Sequence, residues 1–284
     1  MKFLRVGPLG AEQPAVITPR GVTYDLAGHD VRFDAQFWSS DGIERIERLI
    51  ESGTLRELDL AGERIGAPIE KPEKIICIGL NYRDHARETG ATVPSEPIIF
   101  MKAPNCMIGP NDQVLVPRGS TKTDWEVELG VVVGRRARYL ASPEEAASYI
   151  AGYCVSHDVS EREYQLERGG QWDKGKCCET FNPLGPWLVT PDEVSDPQAL
   201  GLRLSVNGVV RQDGTTADMV FGVHHLVWYL SQFMVLEPGD LINTGTPAGV
   251  SMGHDDVDYL KEGDVVELEI TGLGRQRTQM GQAT

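Results

Sequence analysis

The chain has 284 residues, with 40% hydrophobic residues, 24% charged residues, 31 Gly and 17 Pro. That is enough chain for a full core, and it excludes a small disulfide scaffold, a collagen-like fibre and a disordered polymer. Forty-two acidic against 27 basic residues give a net charge of −15, which repels nucleic acid and anionic lipid in the absence of a basic patch, and no basic run occurs. An anionic ligand would need a few buried cations or a bound metal ion to reverse that field locally.

The first residues, Met1 to Pro8, enter a strand-like run without the apolar core of a signal peptide, and nowhere do about 18 apolar residues follow one another. Five cysteines (Cys77, Cys106, Cys154, Cys177, Cys178) lack CxxC spacing, so neither a disulfide framework nor a thiolate zinc site is indicated. A cytoplasmic protein is expected.

Residues 1–70 read as a small N-terminal α/β unit. Short strands flank the turn Thr18-Pro19-Arg20-Gly21, and a helix follows with Ile43, Ile46, Leu49 and Ile50 on one stripe and Gly53 as its stop. Residues 57–72, poor in apolar side chains and ending in Pro68 and Pro72, are the best linker candidate. The unit from residue 71 to 284 is rich in strand signals, at residues 75–79, 97–103, 114–117, 127–133, 202–206, 241–244 and 265–271. Helices are few: one starting at Ser142-Pro143-Glu144-Glu145 with a capping box, and one over 221–233 with Val223, Leu226, Val227, Leu230 and Phe233 as its apolar stripe. Asn207-Gly208 marks a hairpin turn. Strands outnumber helices without alternating with them, which predicts a β-rich α+β fold.

Chemistry concentrates in a few places. His85 and Glu88, three apart after the strand at 75–79, share a helical face, where the carboxylate can orient the imidazole as a base; an exposed surface pair is the alternative. Lys102, at the end of the strand 97–103, and Lys176 sit in apolar or turn-rich surroundings and would face an anion, unless their ammonium groups reach water. In Asp124-Trp125-Glu126-Val127-Glu128-Leu129, residues two apart share a strand face, so Glu126 and Glu128 stand side by side. Solvent relieves their repulsion if the strand is an exposed edge. A hard cation such as Mg²⁺, Mn²⁺ or Ca²⁺ does so if it is not. Asp158, ending the apolar run 150–157, offers a third carboxylate or a helix cap, while His157 reads as structural. Arg162 and Gln165 project from the side of Asp158, and Asn243 through Val250 forms a tight loop able to hold a carboxylate.

In this order these blocks resemble the fumarylacetoacetate hydrolase family. The segments are Gly79-Leu80-Asn81-Tyr82 with His85 and Glu88, Phe100-Met101-Lys102, Trp125 through Leu129, Asp158 through Gln165, Lys176 through Pro186, Asn207-Gly208 with Gln212, and Leu236 through Asp240 leading to Thr244-Gly245-Thr246-Pro247. They span residues 75 to about 272. One departure is Glu179, where the family often carries Asp.

The resemblance implies a mixed β-roll with one divalent cation, Mg²⁺ or else Mn²⁺ or Ca²⁺, held by Glu126, Glu128 and Asp158. It further implies His85, Glu88 and Lys176 as catalytic groups, Lys102, Arg162, Gln165, Gln212 and Thr246 as substrate-binding groups, a lid around His85, and a homodimer or higher homo-oligomer. The expected reaction is hydrolysis of the C3–C4 bond of a 2,4-diketo acid, an acylpyruvate or a diketo-deoxy sugar acid, to pyruvate and a second acid. Decarboxylation of oxaloacetate, isomerisation or tautomerisation, and ureidoglycolate cleavage are alternatives on the same metal-enolate site. A calcium-binding structural protein is the alternative of another class. The pocket beyond C4 is expected from loops 165–173 and 254–259.

Overall fold

The computed structural model describes residues 1–254 and 256–284; Asp255, inside one of the two loops expected to shape the pocket, lies outside the described residues. Among the described residues no helix is long and apolar enough to cross a membrane. The expected β-rich fold is observed, built on two sheets.

The larger sheet has eleven strands, in the order Arg56–Glu57, Thr23–Asp25, Gln13–Ile17, Lys2–Val6, Leu188–Val189, Ile150–His157, Val127–Val133, Leu241–Asn243, Ile75–Gly79, Ile98–Lys102, with Ile65–Gly66 added beside Lys2–Val6. Its neighbours run antiparallel except Leu241–Asn243 beside Ile75–Gly79. The central strands Val127–Val133 and Ile150–His157 are buried at every residue, as expected of strands covered on both faces. Against them packs a five-stranded sheet of Val209–Thr215, Gly201–Val206, Val265–Ile270, Gly274–Gln282 and Val114–Val116. Asn207 and Gly208, both at positive φ, make the predicted hairpin turn.

The N-terminal residues are joined to the rest through backbone pairing. Lys2 and Phe3 pair with Val189 and Leu188, and Phe3, Phe33, Phe37 and Trp38 form an edge-to-face cluster with centroids 4.7–5.7 Å apart. The stretch expected to be a linker is largely exposed over 57–63 but packed over 64–69. Arg64 holds Asp112 (2.8 and 2.6 Å) and Glu12 (2.8 Å), and Ala67 and Ile69 are buried.

Both predicted helices are shorter than their patterns. Pro143–Ala146 is a single turn whose Ser142 makes no capping bond, and the Glu145 carboxylate accepts the N–H of Ala141 rather than that of Ser142. The helix Val223–Leu230 ends before Phe233, which leaves the stripe and is 63% exposed.

Candidate active site

The site grows from one hairpin. Val127 faces His157 and Glu128 faces Ser156 across the central pair, and Asp158 N–H donates to Glu126 O at 3.0 Å. The same register continues to Asp124 opposite Ser160 and Thr123 opposite Glu161. Residues directly opposed in an antiparallel pair share a face, so Glu126, Glu128 and Asp158 are brought onto one surface. One carboxylate oxygen from each lies within 4.8 Å of the others, and all three side chains are buried. The exposed-edge alternative for Glu126 and Glu128 therefore does not apply.

Buried carboxylates require counter-charge, and here it is distributed unevenly. Lys176 Nζ lies 2.7 Å from Glu126 and 3.0 Å from Asp158. Lys102 Nζ lies 2.5 Å from Asp158 and 3.0 Å from Val159 O. Arg162 bonds Glu126 and Asp124, both at 2.8 Å, and donates to Gln165 Oε1 at 2.9 Å. Burial would raise the Glu126 carboxyl, but Lys176 and Arg162 hold it well below the usual range. Burial and the charges of Asp158 and Glu126 push Glu128 far up, against the weaker pull of Lys176 and the Gly245 N–H, which donates to it at 2.8 Å. A cation seated among three oxygen donors is what would let Glu128 ionise. The residues present thus fit a hard divalent ion.

The loop after Leu241–Asn243 follows the mouth of the hairpin. Thr244 and Thr246 hydroxyls donate to Leu129 O (2.8 Å) and Val127 O (2.9 Å). Asn81 locks the loop from the other side, its amide donating to Thr244 O (2.8 Å) and Phe221 O (3.0 Å) while accepting Phe221 N–H (2.9 Å). Two glycines make this course possible. Gly245 (φ +98°) would set a Cβ 2.7 Å from the Asn81 Cβ, and Gly249 (φ +106°) would set one 1.9 Å from Arg211 O.

His85 and Glu88 lie on the short helix Arg83–Glu88, their side chains 3.4 Å apart through Nδ1 and Oε1. They are not an exposed pair: His85 is buried, and the second Glu88 oxygen accepts Gly249 N–H at 2.6 Å and meets His254 Nε2 at 3.0 Å. Burial would raise Glu88, yet the contacts with His85, Gly249 and His254 hold its carboxyl below the ordinary value.

A cavity of about 180 Å³ connects these groups, its polar wall made by Glu126, Glu128, Arg162, Gln165, Lys176 and Thr246, with His85 above it. Four other sequence-predicted residues stand behind the wall, Glu88 behind His85 and three behind the carboxylates and the loop. Asp158 is held by the two lysines, Lys102 lies wholly inside on Asp158, and Gln212 accepts Val127 N–H (2.9 Å) and donates to Thr246 Oγ1 and Pro247 O (both 2.8 Å). Gln212 thereby holds the loop, and the Thr246 hydroxyl proton is already taken by Val127 O. His157, buried with both ring nitrogens unpartnered, is kept neutral by burial and by Lys102, its pKa pushed down to about 3.

Sequence reasoning named the segments that hold Asp124, Asn81, Trp172 and His254, the last two within the loops 165–173 and 254–259 expected to shape the pocket, but gave none of these four residues a role of its own. Asp124 was discoverable, since it continues the two-residue alternation of Glu126 and Glu128; it is buried and bonds Arg162 and the N–H groups of Ser251 (2.8 Å) and Met252 (3.1 Å). His254 and Trp172 reach the site only through loop geometry.

Proteins similar to this chain over nearly its whole length include hydrolases and an isomerase. A curated Burkholderia multivorans protein named as a hydrolase is 51% identical over 278 residues, covering 97% of each chain. The crystal structure of 2-hydroxyhepta-2,4-diene-1,7-dioate isomerase from Mycobacterium marinum is 32% identical, with TM-score 0.76 over 99% of this chain and 98% of that one. Maleylpyruvate hydrolase from a Sphingobium species is 27% identical, with TM-score 0.81 over the whole of both chains. The family model for the fumarylacetoacetate hydrolase C-terminal region matches residues 74–280, and the chain belongs to the fumarylacetoacetate hydrolase family, whose members are hydrolases and isomerases.

Proposed function

We propose that this protein is a divalent-metal-dependent hydrolase that cleaves the C3–C4 bond of a 2,4-diketo acid, acting in the cytoplasm as a homodimer or higher homo-oligomer. The observation that carries the reading is one small cavity lined by Glu126, Glu128 and His85, with Asp158 within 4.8 Å of the two glutamates and Glu88 on the far side of His85. Glu126, Glu128 and Asp158 would hold the ion, Mg²⁺ or else Mn²⁺ or Ca²⁺. Bound there, such an ion supplies Lewis-acid stabilisation to the negative charge that develops on the pyruvate half.

Glu88 accepts the Nδ1 proton of His85 and leaves Nε2 free to take one from water. That water adds to the C4 carbonyl. Gln165 accepts from Arg162 through its oxygen, so its amide N–H groups are available to the C4 oxyanion, and the Lys176 ammonium lies on the same wall. Collapse of the tetrahedral adduct breaks C3–C4 and sends the electron pair into the enolate of pyruvate. C3 then takes a proton, giving pyruvate and a carboxylic acid. Acylpyruvates and diketo-deoxy sugar acids both present the required 2,4-diketo acid end.

The similarity to a dioate isomerase favours a second reading, in which the same enolate is reprotonated without attack by water. Incubating the magnesium-loaded protein with acylpyruvates, a 2,4-diketo-3-deoxy sugar acid and oxaloacetate separates the cases. Pyruvate with a second acid supports hydrolysis, an isomerised product of unchanged mass supports the second reading, and CO₂ alone points to decarboxylation.

A further inference from the structure

Beside its polar groups, Thr89 among them, the cavity has an apolar lining made by Leu80, Ala91, Phe100, Leu166, Trp172 and Met252, and Trp172 meets the Phe100 ring edge to face with centroids 5.5 Å apart. Trp172 reaches this position by lying on the backbone of Gly79, where any Cβ would stand 2.5 Å from the indole. Leu80, the next residue, is held at φ +53°, a conformation unfavourable for a branched side chain. The strand end Ile75–Gly79 is therefore shaped to admit one large aromatic side chain and a leucine.

Charge and volume then restrict what can enter. Among the described residues the only Lys or Arg side chains on the cavity wall are Arg162 and Lys176. Arg162 is already bound to Asp124, Glu126 and Gln165, and Lys176 to Glu126 and Asp158. When the ion takes Glu126 and Asp158, Lys176 turns to the oxygen at C4, so a carboxylate at the far end of a substrate would still find no cation of its own among these side chains, which is strongly unfavourable. The volume, about 180 Å³, is small: a cavity of roughly 150 Å³ accommodates a benzene-sized guest. After a 2-oxo acid end is seated, space remains for only a few further heavy atoms.

We propose that the part of the pocket beyond the 2-oxo acid end selects a short, uncharged acyl tail, and that Trp172, seated on Gly79, is the residue that sets its length. This rests on the reading of the site as one for 2,4-diketo acids, and it sets the chain apart from the two solved relatives above, which are named for a dioate and for maleylpyruvate, both with a second carboxylate. It also disfavours the polyhydroxylated tail of a sugar acid, whose hydroxyl groups would face the same apolar wall.

The test uses the magnesium-loaded full chain in two assays. In the first, kcat/KM is measured for acetylpyruvate, pentanoylpyruvate and succinylpyruvate, the last carrying a carboxylate where the second has alkyl carbon. Succinylpyruvate should be slower than pentanoylpyruvate by on the order of 100-fold. In the second, calorimetry compares 2-oxohexanoate with 2-oxoadipate, which lack the C4 ketone and cannot be cleaved, and 2-oxohexanoate should bind more tightly by at least about tenfold. Trp172→Ala should raise the pentanoyl-to-acetyl ratio, and Trp172→Phe should leave it near wild type. Leu166→Arg, at a side chain 44% exposed, should shift the binding ratio towards 2-oxoadipate, and it serves if the Trp172→Ala protein does not fold. Equal or tighter binding of 2-oxoadipate by the wild-type protein overturns the proposal. Tail discrimination in binding without cleavage of any acylpyruvate leaves the pocket assignment standing and removes the hydrolase reading; cleavage without discrimination does the reverse.

Discussion

If Glu126, Glu128 and Asp158 hold a divalent ion, adding that ion must stabilise the fold. A ligand present at 100 times its dissociation constant, and bound only by the folded state, contributes about 2.7 kcal/mol. With an unfolding entropy of roughly 2.1 cal/mol/K per residue, a chain of 284 residues gains on the order of 4–5 °C in Tm. Scanning calorimetry of chelator-stripped protein, repeated with increasing Mg²⁺, Mn²⁺ or Ca²⁺, should show a rise that reaches about that size near 100 times the dissociation constant and grows with the logarithm of the ion concentration. The Glu128→Gln variant sharpens the test because Glu128 is the carboxylate whose ionised form burial and its two neighbours disfavour. An amide there removes the repulsion, so the ion-free variant should melt at or above the wild-type temperature, yet it should lose most of the ion-induced rise. A wild-type protein indifferent to all three ions, or a Glu128→Gln protein that responds as fully as wild type, would refute the assignment of the cluster as a metal site.

Lys176→Met should lower kcat/KM by roughly 10²–10³-fold, the usual loss for one oxyanion donor. It should also tighten Mg²⁺ binding, because it removes the ammonium that competes for Glu126 and Asp158; titration calorimetry reads this separately from turnover. His85→Ala and Glu88→Gln should each reduce kcat by about 10²–10⁴-fold with little change in Mg²⁺ affinity, and the double variant should be no worse than His85→Ala if the two act as one unit. Gly249→Ala places a methyl group 1.9 Å from Arg211 O at a positive φ, so the loop must move. We expect a loss of about 2–4 kcal/mol in denaturant unfolding.

The fold was legible where a single physical cause decides it. Val127–Val133 came out at its expected bounds because its β-branched and apolar residues, interrupted only by Glu128 and Gly130, are buried throughout, as in a strand covered on both faces. The helix predicted through Phe233 was misjudged because periodicity reports only spacing. Phe233 has the right spacing for the stripe, but the helix ends at Leu230, and nothing local to Phe233 distinguishes a buried from an exposed aromatic. The stretch 57–72 misled for a related reason: low apolar content suggested a linker, whereas its order comes from Arg64 reaching Asp112, 48 residues away in sequence.

The candidate site was legible to the same degree as its register. Glu126 and Glu128 could be paired by alternation within one strand, but their meeting with Asp158 depends on an antiparallel pairing in which the residue numbers of partners differ by 30 at Val127 and His157. That register matters because a slip of one residue in one strand would carry Asp158 to the opposite face from Glu126 and Glu128, among Val127 and Leu129, and leave its carboxylate without partners. The carboxylate cluster thus depends on the pattern of strand pairing. What the pattern could not reveal are the groups that arrive by loops: His254 on Glu88, Asn81 on Thr244, and Trp172 on Gly79. Those contacts join segments between 93 and 166 residues apart, and their only sequence trace is the glycine that leaves room for each approach. The strand register therefore specifies where chemistry can occur, and the loop contacts specify which molecule can reach it.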